Sequence, residues 1–257
     1  MKTRLVLLTV ISLALIGLSA TDSFASYTMT IYSTKDTYID QKNPTANYGT
    51  TGTLSVNSKT AGSQLMHALV QFDLSGIPVS TPDFTLESVV LQLYEYSSQS
   101  STSRTFTANV MTRDWTEGNN TSGSGATWNR YDGTNSWTAA GGDYDVTLGS
   151  ASATISPTPG AGLWIDWDIT DIVQDWLDGV YDNYGLLIKD GAEGTSANNQ
   201  TDFYSRNSTY AEKPRLIVKY TAIPEASTLG MFGIGFIGLA AGYWKKTSRI
   251  LKIKYDE

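Results

Sequence analysis

Tryptophan, tyrosine and arginine are the side chains in this sequence with the most to offer a ligand. Six of its seven tryptophans lie between residues 26 and 222. An indole or phenol ring can pack against the flat C–H face of a sugar, while Arg, Lys and Asn donate hydrogen bonds to hydroxyls and carboxylates. Trp128, Tyr131, Trp137 and Tyr144 share one glycine-rich stretch, Gly118–Asp145. A loop longer than about fifteen residues inside a compact domain is usually functional or disordered. Trp128, Tyr131 and Trp137 are therefore candidate sugar-stacking residues, although packing explains the same rings equally well. Arg113, Arg130 and Arg206 are scarce cations in acidic surroundings and are candidate contacts to a sugar acid, with salt bridges to nearby acids as the competing role. Trp115, Trp164, Trp167 and Trp176 fall in or beside strand and helix patterns and are assigned to the core.

Other chemistries find little support. The chain has no Cys and one His, which excludes disulfides, thiol nucleophiles, Cys-ligated metals and any site needing two imidazoles. His67 sits in the apolar stretch Leu65–Val70 and reads as a packed residue. There is no Gly-x-Ser-x-Gly elbow and no phosphate-cradling loop. Carboxylate pairs are abundant, and a glycosidase needs two of them roughly 5 to 10 Å apart, a separation that spacing along the chain does not define. No cofactor is expected. Asp36, Asp40, Asp143 and Asp145 lie in turn-rich stretches and could contribute to a structural Ca²⁺ site, which needs only oxygen ligands. Residues 26–222 hold 11 basic and 21 acidic side chains, so bulk charge opposes nucleic-acid binding.

The ends read as addresses. Lys2 and Arg4 precede the apolar run Leu5–Leu18, and Ser23-Phe24-Ala25 has the small residues of a signal-peptidase site, which predicts a signal peptide over 1–25 cut between Ala25 and Ser26. At the other end Thr228–Trp244 holds no charge and is followed by Lys245, Lys246 and Arg249. Seventeen residues of helix reach roughly 25 Å, enough to cross a slightly thinned bilayer. The basic cluster keeps 250–257 cytoplasmic and residues 26–227 outside.

Between the addresses, alternating and β-branched runs recur: Thr28–Tyr32, Thr37–Asp40, Thr53–Val56, Ala68–Asp73, Leu86–Tyr96, Thr105–Met111, Leu163–Ile169, Gly185–Lys189, Asp202–Ser205 and Arg215–Tyr220. Gly, Ser, Asn and Asp clusters separate them. About ten strands predict an all-β domain over 26–222, a jelly-roll-like antiparallel β-sandwich. One short helix is expected, capped by Thr170, with Ile172, Val173, Trp176, Leu177 and Val180 on its apolar face and Gly179 as its stop. Asp171, Asp175 and Asp178 form its solvated face.

Two resemblances follow from these residues. Ile223-Pro224-Glu225-Ala226-Ser227, the apolar span and the basic end together resemble Pro-Glu-Pro-type (PEP-CTERM) sorting tails over 223–249, with Ala226 in place of the second proline. That resemblance implies a transient inner-membrane anchor, processing by an exosortase near Pro224, Glu225 and Ala226, and release to the surface or matrix of an exopolysaccharide-producing Gram-negative bacterium. The middle is similar to the DNRLRE-type family, carbohydrate-binding module family 96. The similarity rests on Asp36-Thr37-Tyr38-Ile39, Asn43-Pro44, Asn47-Tyr48-Gly49, Ala68–Ser75, Val89–Tyr94, Asp114-Trp115-Thr116-Glu117, Thr127-Trp128-Asn129, Asp168–Trp176, Tyr184–Ile188, Phe203-Tyr204-Ser205-Arg206 and Lys213–Tyr220, in that order. Asn207 follows Arg206 where an acid is often found. The resemblance implies a β-sandwich module that binds polysaccharide, in some members an acidic one such as alginate. The expectation is a secreted, non-catalytic carbohydrate-binding or matrix protein, set against a glycan-degrading enzyme and a purely structural surface protein.

Overall fold

The computed structural model describes residues 25–81, 83–155 and 162–222. The expected signal peptide 1–25, except for Ala25, the expected sorting tail 223–249 with its apolar span 228–244, and the expected tail 250–257 lie outside the described residues. Ser26–Ala222 form one compact unit. Among the described residues, no helix is long and apolar enough to cross a membrane.

Among the described residues, ten antiparallel strands and one helix make up this unit. They are β1 (Ala25–Asp40), β2 (Thr53–Lys59), β3 (Gln64–Phe72), β4 (Thr85–Ser98), β5 (Arg104–Met111), β6 (Tyr144–Ile155), β7 (Leu163–Asp168), α1 (Thr170–Leu177), β8 (Leu186–Asp190), β9 (Thr201–Tyr204) and β10 (Arg215–Ala222). The hydrogen-bonded order is β1-β10-β4-β9-β2-β3-β8-β5-β6, with β7 also on β4 and β1 also on β3. The strands lie in two layers. In the first, β4 pairs with β7, β9 and β10. In the second, β3 pairs with β1 and β8, and β5 pairs with β8 and β6. Strand β2 belongs to both: Thr53–Val56 pairs with β9, and Asn57–Lys59 with β3.

Alternation explains the layering. Val89, Leu91 and Leu93 of β4 are fully buried, while Val90, Gln92 and Tyr94 between them face outward and are half-buried. Period-two alternation is what a strand with one covered and one open face requires. The core between the layers holds Leu91, Leu93, Trp167, Phe203 and Leu216 from one side and Val70, Phe106, Val110, Leu186 and Ile188 from the other. The buried Trp167 indole satisfies its single donor by bonding the Phe106 carbonyl across the sandwich at 3.0 Å.

Four expectations are corrected. Thr28–Tyr32 and Thr37–Asp40 belong to one 16-residue strand, not two. Strand β6, not expected, lies where the long loop and the unassigned residues after it were placed. Its second half is Gly-Ser-Ala-Ser-Ala-Thr, too small and polar to show alternation, and its pairing with β5 skips from Ser150 to Asp145. Thr170 does not cap α1: the N-cap is Ile169 with no side-chain bond, and the Thr170 hydroxyl accepts from Val89 N and donates to Asp168. Val180 lies beyond the helix and is 66 % exposed, because Gly179 (φ +70°) ends α1 with a left-handed residue.

Candidate functional site

The stretch between β5 and β6 folds upon a second, smaller core of Ile39, Leu69, Met111, Trp115, Ala126, Trp128, Trp137 and Leu187. It lacks a sheet ladder, so its backbone groups need other partners. Asn47, itself buried, supplies many of them. Its amide donates to the carbonyls of Glu117 (2.7 Å) and Ala126 (2.9 Å), and its oxygen accepts from the backbone N–H groups of Gly49 and Asn120 and from the Ser124 hydroxyl. Gly118 (φ +82°) is required here, since a Cβ would lie 2.4 Å from Asn47 Oδ1.

This packing turns two of the three expected sugar-stacking rings inward. Trp128 is 7 % exposed and Trp137 5 %, so neither presents a ring face to solvent. The Trp137 indole donates to Thr127 O, and Trp128 packs against the His67 ring at 4.9 Å. The physical reason is the stretch's length: with no ladder and few aliphatic residues, its tryptophans are the apolar mass on which it folds. Tyr131 is half-buried, tilted against Trp137 and covered by the Arg113 guanidinium at 4.8 Å.

The expected cationic contacts are distributed in the same way. Arg113 bonds Asp143 (2.9 Å), and Arg206 makes a two-pronged pair with Glu117 (2.7 and 3.0 Å). Arg130 is exposed and donates to Gly133 O within its own turn. Burial raises the Asp143 pKa, but the amides of Thr138 and Ala139 and the Arg113 guanidinium outweigh it, and the carboxyl is held below its ordinary range. The four carboxylates considered for Ca²⁺ also face protein donors. Asp40 accepts from Lys42 N and Asn43, Asp145 from Thr147, and Asp36 from Ser33 and Arg206 N. Among the described residues no cluster of three or more His, Asp or Glu could hold a metal ion. His67 is packed as expected, bridging Gly141 O (2.7 Å) and Glu193 (2.6 Å).

The open aromatic surface lies elsewhere, on the outward face of the first layer. Trp164 of β7 stands directly across from Tyr94 of β4, their rings edge to face at 5.3 Å. Tyr94 stacks parallel to Tyr204 of β9 at 5.6 Å. Tyr204 in turn stacks on Tyr96 (4.5 Å) and on Tyr210 (4.6 Å), which is 58 % exposed. The Arg215 guanidinium lies 3.9 Å over the Trp164 ring and bonds Gln92, which bonds Asp166. Asp202 accepts from Ser55 and Gln200 on the same face. The stacked phenols present a ridge of ring edges and hydroxyls, with Tyr210 as its outer face. Burial and the neighbouring Tyr210 and Glu212 push the Tyr204 phenol above its ordinary pKa, so its hydroxyl stays a donor. The strand pattern puts Trp164 in the core, and its half-buried place on this face corrects that. The signal was present: residues 164 and 167 differ by an odd number and must lie on opposite faces of one strand.

Residues 27–220 match carbohydrate-binding module family 96, and residues 222–246 match the PEP-CTERM protein-sorting motif. Both are the resemblances met in the sequence. No curated protein has significant similarity to the chain.

Proposed function

The chain belongs to carbohydrate-binding module family 96, and from that premise we propose that it is a non-catalytic polysaccharide-binding protein of the cell surface. Its sorting motif supports export and handling by an exosortase, with an inner-membrane anchor before processing. The finer reading is a jelly-roll module that works in the exopolysaccharide matrix of a Gram-negative bacterium, without a cofactor and without turnover.

The observation that carries binding is the aromatic ridge Trp164–Tyr94–Tyr204–Tyr210 on an open sheet face. Neighbouring strands lie about 4.8 Å apart, close to the length of one pyranose unit in an extended chain. Ring edges on successive strands can therefore border successive sugars and the outer face of Tyr210 can take a C–H face, while Asp166, Asp202, Gln92 and the phenols exchange hydrogen bonds with their hydroxyls. Weak contacts of this kind are multiplied when many copies share one surface. The test is retention of the full chain, purified in a non-glycosidic detergent, on beads coated with a panel of bacterial and plant polysaccharides. Failure to bind any of them removes the reading and leaves a purely structural surface protein.

A further inference from the structure

Resting on that reading, we propose that the ligand is an uncharged polysaccharide chain lying across β7, β4 and β9 on the outward face of the first layer, and not a polyuronate. Two independent features carry this.

The first is where the positive charge has gone. A polyuronate carries a carboxylate on every sugar and needs arginines or lysines free to meet it. Arg104, Arg113 and Arg206 each hold a protein carboxylate at 2.6–2.9 Å, and Lys35 and Lys189 hold Asp114 and Glu193. Arg130 donates to Gly133 O within its own turn, and Lys42 and Lys59, in no ion pair among the described residues, lie outside β7, β4 and β9. At the ridge itself the one guanidinium, Arg215, is laid flat on Trp164 with Nε committed to Gln92.

The second feature is the charge of the ridge. Asp166 and Asp168 project from β7 beside Trp164, Asp202 projects from β9, and Glu212 lies beside Tyr204. Against these four acids the face offers Arg215 and Lys219, with Lys213, next to Glu212, donating to Ser208 O. A polyanion brought to this surface meets like charge, and at low ionic strength that repulsion reaches well beyond contact. An uncharged sugar meets none of it. Carboxylates and side-chain amides accept its hydroxyl protons, and exposed ring surface takes its C–H face. The ridge carries the most open ring of the two aromatic groups: Tyr210 is 58 % exposed, against 7 % and 5 % for Trp128 and Trp137, while Tyr131 is half-buried under Arg113.

The test uses the full chain in a non-glycosidic detergent and two sets of polysaccharide-coated beads. One set is uncharged (a β-glucan, a galactomannan, a xylan) and the other polyuronate (alginate, polygalacturonate), each at 20 mM and 1 M NaCl. Retention on at least one uncharged polymer, unchanged by salt, is expected. Tyr210→Ala, at an exposed position that leaves the core intact, is expected to weaken it about tenfold. Arg113→Gln is expected to leave it within about twofold. Retention on polyuronate alone, lost at high salt, overturns the uncharged ligand while keeping polysaccharide binding. Retention on uncharged polymer that neither Tyr210→Ala nor Trp164→Ala weakens overturns the ridge as its site. Retention on neither set overturns this inference and the reading beneath it together.

Discussion

Asp36 gives the sharpest test of how this domain is held together. Its side chain, on β1, is 1 % exposed. Oδ2 accepts from the Ser33 hydroxyl (3.0 Å) and Arg206 N (2.8 Å), but Oδ1 is buried with no partner. Burial raises the pKa, the Arg206 amide and Ser33 lower it, the Glu117 charge raises it further, and the balance is pushed up from 3.8 to about 7. The unfolded chain therefore ionises first as pH rises. The stability associated with the neutral carboxyl is fully present below pH 3.8, falls by about 1.4 kcal/mol for each pH unit above it, and is gone by about pH 7. The total is roughly 4 kcal/mol for an isolated group. Asp36→Asn removes the charge and keeps the shape. Urea unfolding followed by tryptophan fluorescence should then show the variant close to the parent at pH 4 and more stable by up to roughly 4 kcal/mol at pH 8. A difference that does not change with pH, or a variant less stable at pH 8, refutes the reasoning. The comparison is with the parent at each pH because other groups work the opposite way. Asp143, Asp168 and Glu193 are held below their ordinary values, and the stability they contribute is lost on acidification.

Further expectations concern the loop, the edge and the tail. Arg104 holds Asp190, whose side chain is fully buried, by two bonds of 2.8 and 2.6 Å. Arg104→Ala leaves that charge unpaired and should cost about 3–5 kcal/mol in chemical denaturation, and Arg104→Ala with Asp190→Ala together should recover much of it. Asn47→Ala removes the side chain that bonds four groups of the loop as well as Gly49 N, and should cost about 2–3 kcal/mol and open Gly118–Gly125 to limited proteolysis. Unchanged proteolysis there would mean that the small tryptophan core holds the loop by itself. Replacing Pro224 and Glu225 together by Ala should leave the protein in the membrane fraction; normal release to the surface would deny the tail its sorting role.

Much of this protein could be read one residue type at a time. The inward positions of β4, β5 and β10, and the buried sites of Trp115, Trp167 and Trp176, follow from local alternation or helical spacing against an apolar interior. What failed did so for identifiable reasons. Strand β6 is held by its ladder to β5 and carries small side chains, so no hydrophobic signal marks it. Thr170 has the chemistry of a cap, yet its hydroxyl is bonded to Asp168 and to Val89 N of β4, some 80 residues away. Arginines scarce enough to suggest ligand contacts found carboxylates from distant segments: Asp143 across the loop for Arg113, and Glu117 before it for Arg206.

The all-β unit over residues 26–222, the sorting tail after it and the lack of thiol or paired-imidazole chemistry all follow from the order of residue types along the chain. Composition, alternation and short motifs are properties of neighbouring residues, so one chain suffices to reveal them. Tertiary structure alone decided which aromatic rings meet solvent. The Trp128–Trp137 stretch turned inward because it had no other core, whereas Trp164, Tyr94, Tyr204 and Tyr210 come from four segments that only strand pairing and a returning loop bring side by side. Which face of a strand stays open depends on what packs over the other.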